Sequence, residues 1–186
     1  RGSRGSFVLT NGRGGTLEET HALAREGALV VADLGGLAAP NAPGRTGRIR
    51  AAAALSRDAL ERVMAERIRE EDVVAFDMAS RAVRARRVRR LGRAVLSEAP
   101  LPVPAGEETA AALLAGVRKL GLRSLPFGKE GDRLLQRLRF VADADENWPR
   151  FDDETLLCEL GDWLAPFIPG IAALNAIDAG MLAQAL

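Results

Sequence analysis

Seven arginines lie within thirteen residues near the middle of the chain, and no acidic residue interrupts them. They are Arg81, Arg84, Arg86, Arg87, Arg89, Arg90 and Arg93. Guanidinium groups fit phosphates in a forked geometry, so a run of this kind could follow a nucleic-acid backbone and release its counterions. The same charges could instead keep the edge of a β-hairpin from pairing with another chain. The pattern alone leaves both alternatives open.

Aromatic residues are scarce around these arginines. The chain has no tyrosine, and Phe76 is the only ring near the cluster. Proteins that bind single strands without sequence preference rely largely on stacking bases against aromatic rings. Because few rings lie near the arginines, we expect these arginines to contact mainly the phosphates.

No constellation for catalysis or metal binding is visible in the sequence. There is no Gly-rich loop with a lysine of the Walker A type. One histidine, His21, and one cysteine, Cys158, cannot supply a structural zinc site. We expect His21 at the surface and Cys158 buried on a helix, and Trp148 should anchor a loop to the core. The acidic residues around 143–154 suit helix capping and loop solvation better than a cation site.

Composition predicts a folded protein with an uneven charge distribution. Apolar residues make up 47% and charged residues 27% of the 186 residues. Residues 1–105 carry eighteen arginines against twelve acids, whereas acids exceed bases in residues 106–186. No apolar run reaches the length of a membrane helix. Together with the single cysteine, this favours a soluble, cytoplasmic protein.

Strands are predicted around Phe7–Leu9, at 28–33 and at 49–55. A helix over 57–69 should follow the N-cap Ser56, with an apolar stripe of Leu60, Val63, Met64 and Ile68. Further strands are expected at 73–76, 82–91 and 94–96, and 35–47 should be a loop. A helix between the third and fourth strands is typical of OB folds. We therefore expect an α+β protein, with an OB-like five-stranded β-barrel containing an inserted helix and an α-helical C-terminal subdomain.

A domain boundary is predicted where Pro100, Pro102 and Pro104 form a stiff linker. It divides the chain into an OB-like barrel over 1–104 and a helical subdomain over 105–186. Helices should form around 113–120, 134–141 and 152–166. The apolar residues Met181, Leu182 and Leu186 should pack on residues beyond the end of the chain, which suggests a truncated C-terminus.

Several segments resemble a known family. They are GSFVLTNGRG at 5–14, GVRKLG at 116–121, WP at 148–149, DDETLL at 152–157 and WLAP at 163–166. In this order they are similar to the C-terminal region of the bacterial HrpB-type DEAH-box ATP-dependent RNA helicases.

The resemblance implies an accessory module without catalytic residues. It would cap the RecA-like core of its parent chain and help guide single-stranded RNA, while ATP and Mg²⁺ would bind in that core. An activator protein is a further possible partner. Arg13, in the NGRG turn, would contact RNA or brace the barrel. The alternative is a protein-interaction or core-docking scaffold without direct RNA contact.

Overall fold

The computed structural model describes residues 3–36, 46–145 and 147–186. These residues form a mixed α+β structure with two β-sheets and six α-helices. The described residues group into two compact units. The first comprises Arg1–Glu71 and Arg87–Ala99, and the second comprises Asp72–Arg86 and Pro100–Leu186. The predicted α+β class is confirmed.

A four-stranded sheet belongs to the first unit. Its strands are β1 (Ser6–Val8), β2 (Gly14–Thr16), β3 (Leu29–Gly35) and β4 (Thr46–Ala54), in the order β1-β2-β4-β3. Strand β2 runs parallel to β4, and the other pairs are antiparallel. The sequence did not predict β2, whose glycines are typical of a turn. A side chain at Gly15 would approach Ile49 Cδ1 to 3.0 Å, so glycine lets the two strands lie together.

Helix α1 (Arg57–Met64) begins as predicted and ends earlier. The Ser56 hydroxyl accepts a hydrogen bond from the Ala59 N–H at 3.2 Å, as expected of an N-cap. After a 3₁₀ turn at Ala65–Arg67, the chain becomes extended at Ile68. The prediction that Ile68 continues the apolar face of α1 is therefore wrong. Val63, which was predicted on the same face, is 71% exposed.

A second sheet contains β5 (Ile68–Asp77), β6 (Ala82–Leu91) and β7 (Ala94–Leu101), in that order. The bounds of β6 are those predicted, whereas β5 and β7 are longer. In the described residues the strands form two sheets and no closed barrel, so the five-stranded OB barrel is not confirmed. Most of the predicted loop at 35–47 lies outside the described residues. The boundary at residue 104 stays a prediction.

The helices of the second unit are α2 (Glu107–Leu120), α3 (Gly128–Ala144), α4 (Asp153–Cys158), α5 (Leu160–Trp163) and α6 (Ala179–Ala185). None of the helices in the described ranges is long and apolar enough to cross a membrane. The fully buried side chains of this unit include Leu113, Leu160, Leu164, Ile168 and Leu182. The single helix predicted over 152–166 is divided at Glu159.

The packing of the last helix corrects one expectation. Leu182 is completely buried within the chain's own core, and Met181 and Leu186 pack against the same core. Helix α6 lies against α3, so its apolar face already has a partner within the chain. These three residues therefore pack within the chain, and the truncated C-terminus stays a prediction.

Two side chains are also more exposed than predicted. Cys158 is exposed at the end of α4, and Trp148 is 43% exposed in the loop before that helix. Trp163 is the tryptophan that packs against the core, and its Nε1–H donates to the Leu156 carbonyl at 2.8 Å. Other expectations are confirmed: His21 is exposed, and the Asp152 carboxylate caps α4.

Candidate nucleic-acid interface

Strand β6 carries five of the seven clustered arginines; Arg81 lies directly before the strand, and Arg93 lies in the turn after it. Apolar residues at Val83, Ala85, Val88 and Leu91 are buried, so the arginines between them lie on more exposed positions. The buried positions do not keep a strict two-residue period along the strand. The arginines of β6 are therefore not divided into two regularly alternating faces.

Glu61 on helix α1 is the first carboxylate to neutralise part of the cluster. Its Oε1 lies 3.1 Å from Arg89 Nη1 and 3.1 Å from Arg57 Nε, and both arginines donate hydrogen bonds to it. These hydrogen bonds, Arg57 first and then Arg89, hold the pKa of Glu61 below its ordinary value, and the positive charge of Arg89 adds to the effect. Glu61 is therefore ionised throughout the neutral range.

Strand β5 supplies two further carboxylates. Glu70 Oε1 lies 3.5 Å from Arg87 Nε, and Glu70 Oε2 lies 3.8 Å from Arg89 Nε. Glu71 Oε1 lies 2.6 Å from Arg90 Nε, which is buried from solvent. The Arg90 N–H is not aligned for a hydrogen bond, so the contact is a close ion pair. All three arginines in this part of β6 thus have acidic partners.

The first unit should lose stability in acid partly through Glu61. Because its folded-state pKa is depressed, its contribution is present above the unfolded-state pKa and is lost as pH falls through the lower folded-state pKa. The melting temperature of the Glu61→Gln variant should therefore change less between about pH 6 and about pH 3 than that of the unmutated chain. Thermal melts followed by circular dichroism would measure this. Glu66→Gln, at an exposed carboxylate, is the control, and an equal effect there would contradict the assignment.

The β5–β6 turn, which lies in the second unit, has its own polar network. Ser80 donates to Asp77 Oδ1 through both its hydroxyl and its backbone N–H, each at 2.7 Å. These two hydrogen bonds lower the pKa of Asp77. Arg84 Nε donates to the Ser80 hydroxyl at 3.4 Å. Arg84 thus supports the turn.

The other two arginines of this part of the cluster are also placed by the second unit. Arg81 is exposed with a φ of 51°, and its carbonyl accepts from the Leu174 N–H at 3.1 Å. Ala82 forms an antiparallel bridge with Ala173. Arg86 is half-buried and engaged in an interaction of its own. The cluster is therefore not one continuous solvated stripe.

Two turns of the first unit interlock, and each carries one of the predicted arginines. In the β1–β2 turn the Leu9 N–H donates to the Arg13 carbonyl at 2.8 Å, and the Arg13 N–H donates to Asn11 Oδ1 at 3.0 Å. In the β6–β7 turn the Arg93 N–H donates to the Thr10 carbonyl at 2.8 Å. Arg13 and Arg93 therefore lie on two turns that contact each other.

Sequence reasoning treated Arg13 and Arg93 separately, and no local signal links them. Their turns are separated by about eighty residues of sequence, and only the three-dimensional pairing joins them. The acidic partners of Arg87 and Arg89 were also missed. Within the described ranges, no group of three histidine, cysteine or acidic residues is placed to hold a metal ion.

Comparisons with known proteins point to one family. Residues 67–101, which span the second sheet, match the family model described as "ATP-dependent RNA helicase HrpB, connector region". The whole chain is 32% identical over 189 aligned residues to the ATP-dependent RNA helicase HrpB of Escherichia coli strain K12. It covers 23% of that protein.

Two solved structures of E. coli HrpB are also similar. They are described as a DExH-box NTPase and as a DEAH/RHA helicase, and they are 29% and 27% identical to this chain. Each comparison covers the whole chain and 23% of the HrpB chain, with TM-scores of 0.45 and 0.44. Scores below 0.5 do not establish a shared overall arrangement, so the relationship rests on sequence. The predicted resemblance to the HrpB-type helicases is confirmed.

Proposed function

Because this chain is a relative of the HrpB-type ATP-dependent RNA helicases over its whole length, we propose that it is an accessory module of such a helicase. It caps the helicase core of its parent protein and helps guide single-stranded RNA, and it performs no catalysis itself. ATP and Mg²⁺ bind in the RecA-like core of the parent, where hydrolysis takes place. The observation that carries this proposal is the 32% identity across the entire chain.

The RNA contact is supported by the charge distribution of the first unit. Arginine supplies all the basic residues of the chain before residue 106, and the described arginines of this unit include exposed side chains such as Arg50 and Arg93. Guanidinium groups bind phosphate oxygens in a forked geometry. Stacking contributes little, because tyrosine is absent from the sequence and the described tryptophans lie in the second unit. The module therefore recognises the backbone of RNA and not its base sequence.

A direct test is to titrate a fluorescein-labelled oligouridine with the 186-residue chain and follow fluorescence anisotropy. The measurement is made at about 50 mM and about 200 mM salt, since phosphate contacts are weakened steeply by salt. The proposal expects saturable binding that falls at the higher salt and is similar for a mixed-sequence RNA. Absence of binding at the lower salt would reject direct RNA guidance by this chain.

The second candidate function is a scaffold that docks on the helicase core without touching RNA. One observation favours it: Phe140 is 76% exposed on helix α3, with Val141 exposed beside it and the basic residues Arg133 and Arg137 on the same helix. An exposed aromatic residue flanked by charges is typical of a protein contact. If Phe140→Ser weakens co-purification with the separately expressed RecA-like core, and the chain binds no RNA, the scaffold function is favoured.

A further inference from the structure

We propose that the interlocked β1–β2 and β6–β7 turns form a preformed phosphate-binding site, in which Arg13 and Arg93 contact the backbone of single-stranded RNA. The inference rests on the proposed function and specifies which residues make the contact. It places the RNA on the two turns and not on the arginines within β6.

The glycines of the two turns determine how closely they approach each other. Gly92 has a φ of 59°, and a side chain there would lie 2.3 Å from the Thr10 carbonyl oxygen. Gly12 has a φ of 85°, and its missing side chain leaves space for Arg93, whose Cδ would lie 2.6 Å from a Cβ at that position. Only glycine adopts this backbone conformation at little cost and leaves this space. The aliphatic part of Arg93 therefore lies against the turn that carries Arg13.

Hydrogen bonds hold this arrangement before any ligand arrives. The Arg93 N–H donates to the Thr10 carbonyl, and the Gly12 N–H donates to the Leu9 carbonyl, both at 2.8 Å. The Asn11 side chain accepts from the Arg13 N–H. A site whose backbone is already fixed loses less conformational entropy when it binds a ligand.

The arginines of the two turns differ from those of β6 in whether a carboxylate pairs with them. Among the described residues, neither Arg13 nor Arg93 forms a salt bridge with a carboxylate. In contrast, Arg89 and Arg90 each contact a carboxylate oxygen within 3.1 Å. A phosphate approaching these paired arginines would have to displace a glutamate. Of the turn arginines, Arg93 is exposed and Arg13 is half-buried. Because no described carboxylate pairs with their guanidinium groups, Arg13 and Arg93 are the better phosphate ligands.

The chemistry of the turns defines the class of ligand. Neither residues 9–13 nor residues 91–94 include an aromatic side chain, so no base can stack on a ring within these turns. The expected ligand is a flexible polyanion whose phosphates are exposed, such as single-stranded RNA. Binding should depend on chain length and salt and should vary little with base composition.

Three double variants of the chain separate the possible sites. The turn variant is Arg13→Gln with Arg93→Gln, and the β6 variant is Arg87→Gln with Arg89→Gln. The control is Arg62→Gln with Arg67→Gln, which removes the same charge from exposed positions of the same unit. Affinity for labelled oligouridine is measured at several salt concentrations, and circular dichroism verifies that each variant is folded.

The proposal expects the turn variant to lose affinity roughly tenfold or more and its salt dependence to fall by about one unit of slope. The control and the β6 variant should lose no more than about threefold. Equal losses in all three variants, or a loss confined to the β6 variant, would overturn the site while leaving RNA binding by the chain intact. If the unmutated chain binds no RNA, direct RNA guidance by this chain is itself rejected.

Discussion

Replacing Leu113 by alanine is expected to lower the free energy of unfolding of the second unit by about 2–5 kcal/mol. Leu113 lies in the middle of α2 and has no solvent exposure. It belongs to the same core cluster as Leu160 and Leu164, which are also fully buried. Truncation removes favourable burial and leaves a cavity that neighbours on several helices cannot easily fill.

Intrinsic fluorescence during urea unfolding is well suited to this measurement. Both tryptophans of the chain, Trp148 and Trp163, lie in the second unit, so the signal reports that unit. Phe140→Ala, at a large apolar residue that is 76% exposed on α3, is the matched control and should change stability by less than about 0.5 kcal/mol. Comparable losses in the two variants would contradict the core as described.

Replacing Gly92 by valine is expected to separate the two interlocked turns and to cost the first unit about 2 kcal/mol or more. A β-branched residue strongly disfavours a φ of 59°. Its Cβ would also lie 2.3 Å from the Thr10 carbonyl oxygen, which belongs to the backbone and cannot simply rotate away. The hydrogen bond from the Arg93 N–H to Thr10 should therefore be lost.

Hydrogen exchange followed by mass spectrometry would test the effect of Gly92→Val, because the first unit contains no tryptophan. Protection should fall in peptides covering 6–16 and 88–97. Gly36→Val is the control, since Gly36 has a φ of 84° and no neighbouring atom of the described residues lies within 4 Å of the position that a Cβ would occupy there. It therefore introduces backbone strain without the clash. Unchanged protection of both peptides in Gly92→Val would show that the turns are not joined as described.

Local features of the fold were predictable from the sequence because their signals are local. Ser56 begins α1, and Gly121 ends α2 with a φ of 86° that glycine tolerates. The uninterrupted β6 segment, bounded by turn residues, also has the predicted limits. Strand β2 was not predictable, because a three-residue glycine-rich segment is extended only through its pairing with β1 and the distant β4.

The end of α1 shows where a periodic pattern is ambiguous. Ile68 fits the helical spacing from Met64, yet it begins a ten-residue strand. The choice depends on pairing with β6, which no local pattern reports. Cys158 is the last residue of α4 and is exposed, whereas Leu156 of the same short helix is buried.

The candidate site was only partly predictable. The arginine cluster was visible in the sequence, but its partners Glu61 and Glu70 lie on other elements. Glu70 lies before the predicted strand at 73–76, so it could be placed beside the end of β6 only once β5 was known to begin at Ile68. The contact between the turns that carry Arg13 and Arg93 could not be predicted, because these turns are far apart in sequence.

The most direct test of RNA guidance is to map the contact with backbone amide chemical shifts of the isotope-labelled chain during titration with oligouridine. The largest changes should occur at Thr10–Arg13 and at Gly92–Ala94, where the two turns interlock. The amides of Arg87–Arg90 should shift little, since these arginines already have acidic partners. Changes confined to Arg84–Arg90, or the absence of any change at saturating RNA, would contradict the account.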